Sequence, residues 1–340
     1  MGSPQERKRI YIVLGVFGTL ALITPFLDLF LQSLVTEILI FGLLAMSLDI
    51  LLGFTGLASL GHAAYFGVAS YASAIVMTKK SWVITYAMYT GASEAGLGLL
   101  FLFFVGILVA FIFAAFFGFL AIRAKDVYFL MITLSLAMVV WGLAYRWSAV
   151  TEGDNGIIIN ERPTLLGMSI AEGLPFFYFT LVVFLLCLGA LYVIVQSPFG
   201  RTLVGIRERE ERMEMLGYNI WLHKYLAFII AGTCSGVACV MWPLYNLFVS
   251  PPDVELITSA EALFMVALGG PATLVGPVIG AAIIRSLQQF VSIYVERWPL
   301  ILGSIYIITI MVSRLYGVDG LLGFAKKFRS SSAASEKSES

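Results

Sequence analysis

The sequence predicts an all-α fold: a polytopic transmembrane helical bundle of about ten spans, interrupted by Gly-rich helix breaks and carrying one charged cytoplasmic helix. Three observations carry that prediction. Hydrophobic residues make up 60% of the 340-residue chain and charged residues 12%, about half the roughly 25% of a soluble domain; mean hydropathy is +0.94. The apolar residues gather into uncharged runs near the ~20 residues that a helix needs to cross a bilayer. Lys and Arg collect in alternate connections between those runs.

The chain opens on Arg7, Lys8 and Arg9, which predict a cytoplasmic N-terminus over 1–9. The apolar run that follows is long for a signal peptide and lacks a small-x-small cleavage pattern, so 10–28 reads as a retained span. Further spans fall near 34–52, 62–78, 97–121, 127–146, 175–196, 222–246, 258–274, 276–295 and 299–314. The membrane domain therefore covers 10–324, and 325–340, rich in Ser, Ala, Glu and Lys, reads as a disordered cytoplasmic tail. An even span count puts both termini in the cytoplasm, with Arg123, Lys125, Arg201, Arg207, Arg209, Arg212, Lys224 and the basic residues from Arg314 onward. Lys79, Lys80, Arg146, Arg162 and Arg297 then fall outside. The external loop 147–174 holds Trp147, Glu152, Asp154, Asn155, Gly156 and Pro163, and is long enough for structure of its own.

Several chemistries are excluded. No Gly-Lys-Ser/Thr P-loop occurs, so the chain does not bind ATP by that route. No nucleophile elbow, zinc helix or Cys-x-x-Cys pattern is present. Cys187, Cys234 and Cys239 sit inside apolar runs and read as membrane-core residues. Two histidines, His62 and His223, are too few for a His-based metal site. The expectation is no catalytic residue, no metal and no cofactor.

Two Gly-rich interruptions carry the functional signal. The first has Gly53, Gly56, Gly61 and Gly67 among Asp49, Thr55, Ser59 and His62; the second has Gly269, Gly270, Pro271, Thr273, Gly276, Pro277 and Gly280. Broken helices are tolerated in lipid only where they are buried in protein or line a wet cavity. Small residues also serve close helix packing, and the polar company of the first cluster favours a pore lining. Ionisable residues within spans usually face protein or water. Asp28, Glu37 and Glu261 lie near span ends, where the interface would solvate them; Asp49, His62 and Arg285 lie deeper.

The inside loop 197–221 carries the densest charge of the chain's middle. Pro198 and Gly200 stop the preceding span and Gly217 suits a helix C-terminal cap. Between them the pattern predicts one short amphipathic helix, with Leu203, Ile206, Met213 and Leu216 on one face, interrupted by Glu210. Such a helix lies along the membrane surface or docks a soluble partner. Its mixed signs, Arg201, Arg207, Glu208, Glu211 and Arg212 among them, favour docking.

At these motifs the chain resembles the M-type permease subunit of branched-chain amino acid ABC importers. The likeness is carried by Leu48 and Asp49 through Gly53, Thr55, Gly56, Ser59, Gly61, His62, Tyr65, Phe66 and Gly67 to Tyr71. It continues in Glu152 to Gly156, Gly200 and Arg201, Arg207 and Glu208, Leu216 and Gly217, Val249 to Pro251, and Glu261 with Leu268 to Gly270. It runs from about 34 to 323. The resemblance implies a homologous H-type permease partner, two cytoplasmic ABC ATPases that bind the ATP, and a periplasmic or lipid-anchored solute-binding protein. It also implies a bacterial or archaeal plasma (inner) membrane. On it, Asp49, Thr55, Ser59, His62 and Glu261 are the expected solute path, and Gly53, Gly56, Gly61, Gly269, Gly270 and Gly276 the bends. Gly200, Arg201, Arg207, Glu208, Glu211, Leu216 and Gly217 become the ATPase-coupling segment. Asp49, Ala58 and Pro271 depart from the family pattern, and the same family includes permeases for urea, short amides and other small solutes. An ion-coupled secondary transporter is the rival class, with Asp49 as its deep carboxylate.

Overall fold

The computed structural model describes residues 15–78, 90, 97–160, 162–165, 168–169, 173–294, 300–301, 303–308 and 311. The cytoplasmic N-terminus 1–9, most of 79–96, most of the span 299–314 and the tail 325–340 lie outside the described residues. What is described is almost wholly helical. Helix α1 spans Gly15–Phe26, α2 Leu29–Asp49, α3 His62–Thr78, α4 Gly98–Ala121, α5 Asp126–Arg146 and α6 Leu174–Gln196. After them come α7 Pro198–Glu208, α8 Glu210–Met215, α9 Ile220–Asn246, α10 Leu256–Gly269 and α11 Val275–Tyr294.

Among the described residues, five helices are long and apolar enough to cross a membrane: Leu29–Thr55, Gly98–Ala121, Val127–Arg146, Leu174–Gln196 and Ile220–Asn246. These spans are of two kinds. Helix α2 is central, with every residue from Leu39 to Leu51 buried. Helices α4, α5 and α6 are peripheral and turn Phe104, Phe116, Val139 and Leu186 outward. Those exposed apolar side chains are the surface that lipid covers. Helix α10, at 14 residues, rises only about 21 Å, too short to cross by itself.

Among the described residues, short strands occur at the end where the 147–174 loop lies. Strand β1 (Ile157–Ile158) pairs antiparallel with β4 (Phe248–Val249), and β2 (Thr164–Leu165) with β3 (Met168–Ser169). The first pair fastens the loop to the chain that leaves α9.

Helices α4 and α9 pack along a stripe of small residues. A Cβ placed on Gly232 would lie 2.4 Å from the Ala114 Cβ, and one on Gly236 would lie 2.4 Å from the Ala110 Cβ. The helices meet backbone to backbone. Where the apolar effect gives no preference for protein over lipid, such close van der Waals contact is what holds spans together.

Gly236→Val is therefore expected to overpack this seam and cost about 1–3 kcal/mol, seen as earlier thermal aggregation in detergent. Adding Ala110→Gly should recover most of the loss. A double variant as unstable as Gly236→Val alone would mean that the seam is not the source.

Candidate functional site

The two Gly-rich breaks meet. Helix α2 ends in a single wider turn, Ile50–Thr55, of π type, a form that concentrates at functional positions. Thr55 closes it by donating its hydroxyl to the Ile50 carbonyl at 2.8 Å. Gly56 then adopts φ +79°, a left-handed conformation that glycine takes without strain, and 56–61 run without regular structure. Helix α3 starts with backbone donors that have no partner in their own helix. Distant hydroxyls supply those partners: Leu60 N–H donates to Thr133 Oγ1 at 3.3 Å and Ala63 N–H to Ser259 Oγ at 2.8 Å. Gly61 N–H donates to Ser59 Oγ at 3.2 Å.

The second break, 270–274, joins α10 to α11. Gly270 has φ +110°, and Ala272 and Leu274 are also left-handed at +60° and +56°. Non-glycine residues there cost on the order of 1–3 kcal/mol each. Asp49 holds both. Its carboxylate accepts from Ala272 N–H at 2.8 Å and from Leu274 N–H at 3.1 Å, while the side chain is fully buried. Gly53 makes the approach possible, because a Cβ there would lie 2.2 Å from the Ala272 nitrogen. Gly269 and Gly276 face each other across the same turn, a Cβ on the former reaching within 1.8 Å of the Gly276 carbonyl oxygen.

The charged segment joins this junction. Arg207 Nη1 donates to the Gly53 carbonyl, and the Arg207 stem lies against Gly56, 2.9 Å from where a Cβ would stand. One residue of the charged segment thus grips the first break, and Asp49 ties the first break to the second.

That segment is two helices, not the single amphipathic helix expected. Arg209 is extended, at φ −155° and ψ 100°, and separates α7 from α8. The reason is tertiary: the turn lets Glu210 pair with Lys224 of α9 at 2.6 Å, and Glu210 is the residue that interrupts the apolar face. Leu203 and Ile206 are buried, whereas Met215 is 86% and Leu216 66% exposed. Gly200 lies inside α7, not at a stop. Ser197 caps that helix, and a Cβ on Gly200 would strike the Val195 carbonyl oxygen at 2.1 Å. Gly217 takes φ +85° as expected of a helix end. Arg201, Arg207, Glu208 and Glu211 are exposed, and Arg201 lines an open cavity of 480 Å³ with Phe199, Thr202, Met213, Tyr218 and His223.

The expected path residues are all buried in the described structure, at different places. Asp49 supports the junction, Thr55 and Ser59 bind local backbone, and His62 is fully buried with neither ring nitrogen partnered among the described residues. Glu261 belongs to an ionic cluster that the sequence did not foretell. Arg285 Nη2 lies 2.8 Å from Glu261 Oε2, and its Nη1 lies 3.3 Å from Glu37 Oε1. Glu37 and Glu261, expected at solvated span ends, are 5% and 8% exposed. Asp28 alone of the three is exposed, at the start of α2, as a solvated span end requires. A second cavity, 240 Å³, opens at the end bearing the 147–174 loop, between Gln32, Ser33, Thr36, Arg162 and Phe176. Arg162 closes the end of α9 by donating Nε–H to Leu244 O at 2.7 Å and Nη2–H to Tyr245 O at 3.0 Å, satisfying C-terminal carbonyls.

Thr133, Ser259 and Arg162 are site residues that sequence reasoning missed. Each acts on backbone more than seventy positions away, and no local pattern marks such a contact. Asp253, between α9 and α10, accepts from Trp242 Nε1 at 2.9 Å and Ser250 N at 2.8 Å. Burial pushes its carboxyl above the usual range, and these hydrogen bonds pull it back.

The comparisons with known proteins agree with this architecture. A family model described as branched-chain amino acid transport system / permease component matches residues 30–313. The high-affinity branched-chain amino acid transport system permease protein LivM of Escherichia coli (strain K12) is 26% identical over 93% of this chain and 76% of its own length. Its namesake in Salmonella typhimurium (strain LT2) is 24% identical over 90% and 73%. An L-arabinose ABC transporter permease protein, AraH, of Azospirillum brasilense is 28% identical over 48% of each chain. No solved structure matches significantly.

Asp49→Asn keeps the shape but replaces one acceptor oxygen with an amide donor, leaving a buried backbone N–H of the 272–274 turn unpaired. The expected cost is about 1–3 kcal/mol, read as a lower unfolding temperature in detergent without solute. An unchanged unfolding temperature with altered uptake would return Asp49 to the solute path.

Proposed function

This chain belongs to the branched-chain amino acid transport system permease component family, and on that premise we propose that it forms half of the translocation pathway of an ABC importer for branched-chain amino acids. It is a multi-pass membrane protein, and ATP hydrolysis falls to partner subunits. In this reading two cytoplasmic ABC ATPases dock on 197–221, a homologous H-type permease completes the pathway, and a solute-binding protein delivers cargo at the 147–174 end. Both termini lie in the cytoplasm of a bacterial or archaeal inner membrane. The relatives named for branched-chain amino acids support the choice of solute over urea or short amides.

The observation that carries the mechanism is the Arg207–Gly53 and Asp49–Ala272/Leu274 chain of contacts. An ATPase that moves α7 pulls directly on the carbonyl of the first break. The second break, held in left-handed conformations by Asp49, then loses or keeps its support as α2 shifts. Two arrangements of one packed junction are what long-range coupling requires. An ion-coupled secondary transporter is less well supported: Asp49, the carboxylate on which that reading rested, is engaged with backbone donors, and the matching relatives are named as permeases of transport systems.

Affinity isolation in mild detergent should recover a second permease and P-loop ATPases with this chain; a stable homomer alone would sink the importer reading. In the recovered complex, Arg207→Gln should leave ATPase recruitment intact. It should lower the stimulation of ATP hydrolysis by solute-loaded binding protein about tenfold, within the range of measured coupling energies. Full stimulation in that variant would remove Arg207 from the coupling path.

A further inference from the structure

The ionic cluster holds more charge than a structural clamp needs. Glu37 of α2, Glu261 of α10 and Arg285 of α11 are each more than nine-tenths buried, and two carboxylates share one guanidinium. A single Glu–Arg pair would fasten α11 to a neighbour and leave no net charge. The second carboxylate leaves one negative charge uncompensated in the interior, where unpaired charge is disfavoured.

The helices around the cluster also hold buried donors that lack acceptors. Arg285 Nε and the Tyr71 hydroxyl are buried with no hydrogen-bond partner among the described residues. Tyr71 is 5% exposed and lies on α3, the helix that also carries Phe66, whose ring meets Phe41. Buried donors of this kind are normally satisfied. The other Arg285 nitrogen contacts are full: Nη1 also donates to Gln288 Oε1 at 2.8 Å, and Gln289 Nε2 donates to Glu37 Oε2 at 3.0 Å.

Beside the cluster stands an aromatic wall. The Arg285 guanidinium lies 3.3 Å from the Phe41 ring centre, and Phe41 meets Trp242 at 5.0 Å and Phe66 at 5.8 Å between centroids. Surplus carboxylate, surplus donors and an apolar wall together complement a small molecule with an ammonium, a carboxylate and an aliphatic side chain.

We propose that Glu37, Glu261, Arg285 and Tyr71 form a transient site for the head group of an α-amino acid on its way through the permease. The ammonium is taken by the Glu37 and Glu261 carboxylates and the α-carboxylate by Arg285 Nε–H and the Tyr71 hydroxyl, with the side chain against Phe41 and Trp242. In this closed arrangement the guanidinium of Arg285 stands between the two carboxylates. Separation of α10 from α2 and α11, the elements joined through the Asp49 junction, admits the solute. This site rests on the amino-acid permease reading and specifies which end of the solute meets which residues.

The test uses the purified transporter complex without its binding protein, followed by thermal unfolding. Leucine at millimolar concentration should raise the unfolding temperature. To match it, 4-methylpentanoate, which lacks the ammonium, and 3-methylbutylamine, which lacks the carboxylate, should each need a concentration at least about tenfold higher. Glu37→Gln and Glu261→Gln each leave Arg285 one carboxylate and remove the surplus charge. Both should fold without ligand yet lose the leucine shift, and Tyr71→Phe should weaken it. Either analogue matching leucine, no shift in the wild type, or a full shift in both Gln variants would overturn the site. Should a variant fail to fold, the analogue series on the wild type still decides. ATP-driven leucine uptake that persists while the shift is missing overturns the site alone, whereas failure to recover ATPases overturns the importer reading.

Discussion

A helix that breaks inside an apolar surrounding must find partners for the backbone groups that it frees, and the described structure is arranged around that demand. The two breaks, at 50–61 and 270–274, release donors and acceptors within the packed interior. Asp49 answers the donors of the second break and Arg207 a carbonyl of the first. Thr133 and Ser259 answer the start of α3. Each answer comes from a different helix, so the breaks fix the relative placement of α2, α3, α5, α7 and α10. Removing one partner leaves a buried group unpaired, which costs more than the bond itself contributes.

The expected spans largely coincide with the helices because apolar runs of membrane length have few alternatives. Seven predicted segments, from 34–52 through 258–274, each overlap a described helix, and so does 276–295. The breaks were legible too, since a cluster of glycines inside an apolar run loosens the helix that the run would otherwise form. Their partners were not. Asp49 reads from sequence as an isolated deep carboxylate, and the amides that it binds lie 223 and 225 positions away. Glu37, Glu261 and Arg285 were each visible, but pairing them requires knowing that α2, α10 and α11 pack together. The break at Arg209 was hidden for a similar reason: the ion pair that rewards it, Glu210 with Lys224, is a tertiary contact. Local patterns report periodicity, and these features depend on which helices are neighbours.

The molecule divides into contacts that resist motion and contacts that can switch. The α4–α9 seam sets glycine against alanine so closely that a Cβ on Gly232 or Gly236 would stand 2.4 Å from an alanine Cβ; packing of that density resists rearrangement. The breaks are different. Ala272 and Leu274 hold strained left-handed conformations that persist because a carboxylate compensates them. A strained turn balanced by two hydrogen bonds has a nearby alternative in which both are released. Transport needs both parts: a rigid frame against which to move, and a joint with two states.

The position of the ionic cluster follows from the same division. Arg285 lies on α11, beyond the turn that Asp49 supports, and Glu261 lies on α10, before it. Any change at 270–274 alters the angle between α10 and α11 and so the distance between Glu261 and Arg285. Glu37 lies on α2, about three turns before Asp49, and is carried by the helix that Arg207 reaches through Gly53. The charges that would meet a zwitterion are thus mounted on the arms of the joint that Arg207 reaches from the charged segment. On the proposed mechanism, access to the cluster and the position of α7 become one variable. A charge cluster on the rigid α4–α9 seam would have no such dependence, whatever its affinity.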